Sequence, residues 1–366
     1  MRKRLAARSH YILVVFAFAL VLSACAFSAP ELSTSAPRVS VTATFPSTDW
    51  LQITFTDPSA SHARDYEGGP DKNLAASIDQ ARLSVDVAAY SLNLWSIRDA
   101  LIHAHQRGVA VRMVMESDNM DVQEVQQILD AGIPIIGDQH EGLMHDKFVI
   151  VDRSVVWTGS MNYTVSGTYK DNNNFVYIRS SQVADYYTQE FEEMFTRRLF
   201  GPDRISNISN LKKLDINGIP LEIYFSPDDK PAARIVELIK GAQESINFMA
   251  YSFTSNEIGA AIVERAKAGV SVLGVFDGSQ VTSGQGTEYD PLKQAGLDVR
   301  LDGNQTGLMH HKVIIIDKSI VITGSYNFTA SAEENNDENV LIIFNSEVAA
   351  KYLEEFQRVN DQAEQP

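Results

Sequence analysis

The sequence predicts an α/β protein made of two copies of one lobe, and three observations carry that prediction. Short apolar runs alternate with helical stretches, which gives βαβ units and mostly parallel sheets. That alternation passes through the chain twice. One constellation also recurs: His145, Lys147, Asp152 and Gly159-Ser160-Met161-Asn162, then His310, Lys312, Asp317 and Gly324-Ser325-Tyr326-Asn327. The offset, about 165 residues, is too long for a solenoid repeat and fits a duplicated domain.

The elements follow in order. Residues 1–24 have a cationic start (Arg2, Lys3, Arg4, Arg8), an apolar run from Tyr11 to Leu22, and small residues before Cys25. The run is short for a membrane span and fits a secretory signal. Leu22-Ser23-Ala24-Cys25 resembles the bacterial lipobox, and Cys25 is the one cysteine of the chain. That resemblance implies lipidation at Cys25 and an exported, membrane-anchored bacterial lipoprotein of the cell envelope. Residues 25–48, rich in Ser, Thr and Pro, read as a flexible tether.

The first lobe is expected over 49–199 and the second over 219–360, joined by Arg197–Gly218. Strand Leu51–Thr56 is matched by Leu221–Ser226, and Leu83–Tyr90 by Ile246–Tyr251. A helix follows in each half and stops at Gly108 or Gly269, as helices do at a glycine. Strands Ala110–Met115 and Ser271–Phe276 come next, then short helices ending at Gly132 and Gly296. The apolar runs Phe148–Val151 and Val313–Ile316 begin inside the repeated constellation. Strand alternation puts His145 and Lys147 on one side, His310 and Lys312 likewise, with Asp146 and His311 facing away.

Paired His, Lys and Asn suit a phosphate in one pseudo-symmetric pocket. Imidazole attacks phosphorus or protonates the leaving oxygen, while ammonium and amide groups hold the other oxygens. Asp152 and Asp317 follow the apolar strands and are assigned to holding the motif loop. The Gly-Ser turns are expected to bring backbone amides close to the phosphate. No Gly-rich nucleotide loop, zinc spacing or calcium loop is present.

Both segments obey H-x-K-x4-D-x6-G-S-x-N and resemble the paired motifs of the phospholipase D superfamily, over residues 50 to 360. The resemblance implies two α/β lobes with pseudo-two-fold symmetry and one shared cleft. It implies a phosphodiesterase acting through a covalent phosphohistidine without a metal or other cofactor. The implied catalytic set is His145, Lys147, Asp152, His310, Lys312 and Asp317, with Ser160, Asn162, Ser325 and Asn327 around the phosphate. In such proteins a carboxylate backs the second His. Glu338 stands at that place, and Asn173 occupies the corresponding place in the first half. The expectation is therefore that Glu338 backs His310 as general acid and Asn173 backs His145 as nucleophile, with Asp171 as a second candidate behind His145. A carboxylate also makes an imidazole more basic, which suits a nucleophile.

The formal net charge of −16 disfavours a broad nucleic-acid surface. The favoured reading is a monomeric phospholipase D acting on the head group of a glycerophospholipid at a membrane. The alternatives are a nuclease cutting DNA or RNA, a phosphatidyltransferase similar to cardiolipin synthase, and a binding module that retains the pocket without turnover.

Overall fold

The computed structural model describes residues 50–203, 213–284 and 286–363. The expected leader, Cys25 and the tether lie outside the described residues. The first lobe runs β1 (Leu51–Phe55), α1 (Asp71–Asp79), β2 (Ser84–Ala89), α2 (Trp95–Gln106), β3 (Ala110–Met115), α3 (Gln123–Asp130) and β4 (Ile135–Gly137). It continues with β5 (Lys147–Val151), β6 (Val155–Gly159), α4 (Val165–Tyr169), β7 (Asn174–Arg179) and α5 (Ser181–Phe195). The second lobe runs β8 (Lys213–Ile216), β9 (Ile219–Ser226), α6 (Pro231–Gly241), β10 (Ser245–Ala250), α7 (Asn256–Lys267), β11 (Ser271–Phe276), α8 (Gly278–Ser283), α9 (Tyr289–Gln294) and β12 (Asp298–Leu301). It ends with β13 (Lys312–Ile316), β14 (Ile320–Gly324), α10 (Ala330–Glu334), β15 (Glu338–Phe344) and α11 (Ser346–Gln362). Strand β8 lies within the stretch expected to be a plain connector and pairs antiparallel with β9.

The strand orders are β1-β7-β6-β5-β2-β3-β4 and β12-β11-β10-β13-β14-β15-β9-β8. The sheets are mixed, which corrects the expectation of mostly parallel ones. Among the described strands, only β2-β3-β4 and β10-β11-β12 pair parallel, with α2 in the β2–β3 crossover and α7 in the β10–β11 crossover. After each motif the chain turns back at once, and a short connection permits only antiparallel pairing. Asp152-Arg153 and Asp317-Lys318 make these turns, all four with left-handed φ between 49° and 54°. Two such residues in succession form the hairpin turn whose twist matches the flanking strands.

Three apolar layers result. Helices α1, α2 and α3 cover the outer face of the first sheet, α6 and α7 that of the second. The inner faces share one core with α5 and α11, in which the Tyr187 ring meets Phe148 at 5.0 Å and Phe225, from the second sheet, at 5.3 Å. Burying such a ring contributes roughly 1.5–3 kcal/mol, so this layer fixes how the two motif strands face each other.

Gly159 and Gly324 end β6 and β14 at φ 139° and 143°. A Cβ there would collide with the carbonyl oxygens of Asn174 and Asn339. Gly324→Ala is therefore expected to cost about 2–4 kcal/mol, read as a lower urea midpoint. Gly108, at φ 87° with open space around it, serves as the mild control, at about 1 kcal/mol. Equal losses at the two sites would show that the packing against Asn339 does not matter.

Candidate active site

The segments just before β5 and β13 each cross to the other lobe. The Leu143 N–H donates to Asn336 Oδ1 and the His145 N–H to the Asp337 carbonyl. In the mirror arrangement Leu308 N–H donates to Asp171 Oδ1 and His310 N–H to the Asn172 carbonyl. Between these bonds, Met144 and Met309 donate to Glu116 and Asp277 of their own lobes. The segment carrying each motif histidine is thus held by hydrogen bonds to both lobes.

This crossing exchanges the partners expected from the sequence. His145 Nδ1 meets Glu338 Oε2 at 2.7 Å, and His310 Nδ1 meets Asn173 Oδ1 at 2.9 Å. The carboxylate backs the first imidazole and the amide backs the second, the reverse of expectation. The reason is spacing. Asn173 just precedes β7 and His145 precedes β5, with β6 between those strands, so within one lobe they stand about two strand spacings, roughly 9.5 Å, apart. Asp171 does not reach His145 either. It is buried and accepts the Leu308 amide.

Asn173 sets its own orientation. Its Nδ2 donates to the Gly167 carbonyl, so Oδ1 faces His310 and also accepts from Ser160 Oγ at 2.7 Å. His310 must then carry a proton on Nδ1 to donate to it. On the other side Ser325 and Asn336 both hydrogen-bond Glu338.

Lys147 and Lys312 are fully buried, and each donates to the carbonyl of its own motif histidine, at 2.7 Å and 2.9 Å. Each ammonium also faces a tyrosine ring, Tyr90 at 5.0 Å and Tyr251 at 4.7 Å. The same rings stand 4.8 Å and 4.7 Å from His145 and His310. Burial pushes Lys147 down to about 7, against the pull of Glu338 and Asp146. Burial and the Lys147 charge push Lys312 well below its usual range. His145 and His310 also lie well below theirs, by burial first and then by the two ammonium groups. A bound phosphate anion would relieve all four at once, because its charge opposes theirs.

The cleft between the motifs has a volume of about 730 Å³ and is lined by His145, His310, Asn162, Asn327, Tyr90 and Tyr251 among others. Asn162 and Asn327 each keep a buried side-chain oxygen without a hydrogen-bond partner among the described residues. Ser160 and Ser325 lie outside this lining. Their backbone amides donate to Asn174 and Asn339, so the Gly-Ser turns brace β7 and β15, and their amides are not offered to a phosphate.

Asp152 and Asp317 sit at the far ends of the motif strands. Asp152 accepts from the backbone N–H groups of Arg82, Leu83 and Ser84 at 2.7–3.1 Å, and Asp317 from those of Gln243, Glu244 and Ser245. They tie the hairpin turns to the starts of β2 and β10 and belong to the scaffold, which corrects their place in the catalytic set. His311 points away from the cleft, to Glu355 at 2.9 Å and Asn174. Among the described residues no cluster of His, Cys, Asp or Glu is arranged to hold a metal ion.

Comparison with known proteins agrees with this geometry. A family model described as cardiolipin synthase, PLD-like domain, matches residues 74–195 and again 235–360. A phospholipase D of Rickettsia prowazekii is 35% identical over 162 residues, 41% of this chain and 78% of that one. The mitochondrial cardiolipin hydrolase of Mus musculus is 34% identical over 143 residues, 39% of this chain and 63% of that one. The crystal structure of a phosphatidylserine synthase from Haemophilus influenzae shares the fold at 12% identity, with a TM-score of 0.64 over 86% of this chain and 87% of that one. With one family model matched twice and spanning most of its length, the chain belongs to the phospholipase D superfamily.

Proposed function

We propose that this enzyme hydrolyses or exchanges the head group of a glycerophospholipid through a phosphohistidine on His145. The observation that carries the reading is the pair of imidazoles on one cleft, each with Nδ1 bound to an acceptor from the other lobe. With Nδ1 engaged, Nε2 of His145 attacks phosphorus and forms the N–P bond. The bond from phosphorus to the leaving alcohol breaks, and His310 gives that oxygen its proton. Neutral His310 then takes a proton from water or an acceptor alcohol, whose oxygen attacks phosphorus and frees His145. Lys147, Lys312, Asn162 and Asn327 stabilise the charge on the remaining oxygens.

Glu338 suits His145 to nucleophilic attack, because a carboxylate on Nδ1 fixes the tautomer and stabilises the ring as it gains positive charge. Asn173 suits His310 to acid catalysis, because an amide stabilises the imidazolium less and so leaves it a stronger acid. Lipid as substrate is supported by the names of the relatives and by the net charge of −16, unfavourable for a polyanion. Export and lipidation at Cys25 belong to the same proposal, since an anchor holds the enzyme where such substrates are concentrated. Both motifs sit in one chain, so a monomer contains the whole site.

The test offers phosphatidylglycerol or phosphatidylcholine vesicles and single-stranded DNA separately to the full chain, with His145→Ala as control. Head-group release by wild type alone is expected. DNA cleavage without lipid turnover would overturn the lipid reading in favour of a nuclease.

A further inference from the structure

The carboxylate behind His145 belongs to a segment that is itself anchored from the other lobe. Asp337 precedes Glu338 and bonds the first motif on both sides of Met144. Its N–H donates to the Leu143 carbonyl and its carbonyl accepts the His145 N–H, both at 2.9 Å. The Asp337 side chain is buried and holds two more groups. Oδ1 accepts the Gly201 N–H at 2.9 Å, and Oδ2 meets His140 Nε2 at 3.1 Å. His140 comes from the loop between β4 and β5, in the first lobe. The same nitrogen lies 3.7 Å from Asp138 Oδ2, a buried oxygen with no hydrogen-bond partner among the described residues. Two buried carboxylates, one from each lobe, thus share one imidazole.

We propose that His140 is a positioning residue for the nucleophile: as an imidazolium it clamps Asp337, and the backbone of Asp337 sets His145 against Glu338. The inference rests on the phosphodiesterase reading above. A buried carboxylate left without a counter-charge is costly, and a charged hydrogen bond holds it more firmly than a neutral one. The Glu338 contact works only at close range, and a misplacement of about 1 Å in such a set can cost about 10²-fold in rate. In the other half the counterpart is neutral. Asn172, whose carbonyl accepts the His310 N–H, is held by Asn304 Nδ2 at 2.9 Å. The charged clamp therefore stands on the side of the carboxylate-backed histidine.

The surroundings fit this role. The ring is pinned between glycines: a Cβ on Gly142 would collide with His140 Cε1, and one on Gly201 would stand 3.2 Å from it. The Asp337 hydrogen bond raises His140 above its ordinary value against burial, and Asp138 and Glu116 add to the effect. Glu141, next in the chain, is exposed. Phe200, Pro202, Asn335 and Asn336 line the same cavity from the connector and the loop before β15, and bring no charge. Because the folded value is raised, the clamp is charged below it and loses that charge as pH rises through it.

The experiment measures kcat against pH for the full chain on bis(p-nitrophenyl) phosphate. His140→Gln keeps an N–H donor and removes the charge. It is expected to be about tenfold slower than wild type at about pH 6, with KM little changed, and to match wild type within about twofold at about pH 9, where both proteins offer a neutral donor. Asp337→Asn keeps the Oδ1 acceptor for Gly201 and removes the opposite charge. It is expected to show the same loss at about pH 6, and the double variant H140Q/D337N to be no slower than either single one. A loss equal at every pH, opposite effects of the two single variants, or losses that multiply in the double variant would overturn the proposal. Turnover that survives His145→Ala in an otherwise wild-type chain would overturn the phosphodiesterase reading instead, a result separate from any ratio among the clamp variants.

Discussion

His145→Ala is expected to abolish turnover of any phosphodiester, lowering kcat by about 10⁴-fold or more, the order found when a nucleophile is removed from a catalytic set. His310→Ala is expected to behave differently according to the leaving group. An alkoxide cannot depart without a proton, so a lipid substrate loses as much as with His145→Ala. p-Nitrophenolate departs unaided, so bis(p-nitrophenyl) phosphate still forms the phosphoenzyme. The second step then stalls, because no base remains to take a proton from water. The expected signature is a burst of about one p-nitrophenol per chain, with mass spectrometry placing the adduct on the peptide containing His145. An adduct on His310 in the His145→Ala protein would reverse the two roles, and with them the meaning of the Glu338 contact.

Glu338→Gln is expected to lower kcat by about 10²–10⁴-fold. The carboxylate accepts the Nδ1 proton at 2.7 Å, leaving the lone pair on Nε2. A glutamine can turn its amide N–H toward Nδ1, which favours the tautomer with the proton on Nε2 and removes the nucleophile. The pH profile separates this from simple loosening. Burial and the two lysines push His145 well below its usual range, so it is neutral at neutral pH and loses activity as pH falls. Burial pushes Glu338 up to about 7, so the acid limb belongs to the pair. Without the carboxylate the imidazolium is less stable, and the limb is expected to move to lower pH while the plateau drops. A limb that moves upward would contradict the role given to Glu338. Asn173→Ala frees His310 from a neutral acceptor only, and a smaller loss is expected there.

Much of this was readable from the chain because local rules and global fold agree. The alternating pattern gave β2, β3, β5 and their counterparts, and the glycines after α2 and α7 marked their ends. The motif spacing alone implied that two imidazoles meet, since a single repeat supplies half a pocket. What the pattern did not convey was who backs whom. Pairing Asn173 with Glu338 by sequence is correct, but it is equally consistent with contacts inside a lobe or across lobes. The deciding element was β6. Recognising Val155–Gly159 as a strand between β5 and β7 would have placed Asn173 too far from His145. The scaffold role of Asp152 was legible for a related reason: it falls one strand length from Lys147. The serines misled because a Gly-Ser turn reads as an open amide cradle, whereas the positive φ of Gly159 and Gly324 turns the next amide back onto the neighbouring strand.

The cross-lobe contacts of His145 with Glu338 and of His310 with Asn173 also bear on how such a site can change over generations. In an assembly of two identical chains, every replacement is made twice, once on each side of the axis. Whatever backs one imidazole must then back the other, and an acid and a nucleophile have to share one compromise. Joined in a single reading frame, positions 173 and 338 are separate loci. Each can be tuned while its counterpart stays as it was, so division of labour between the histidines becomes heritable.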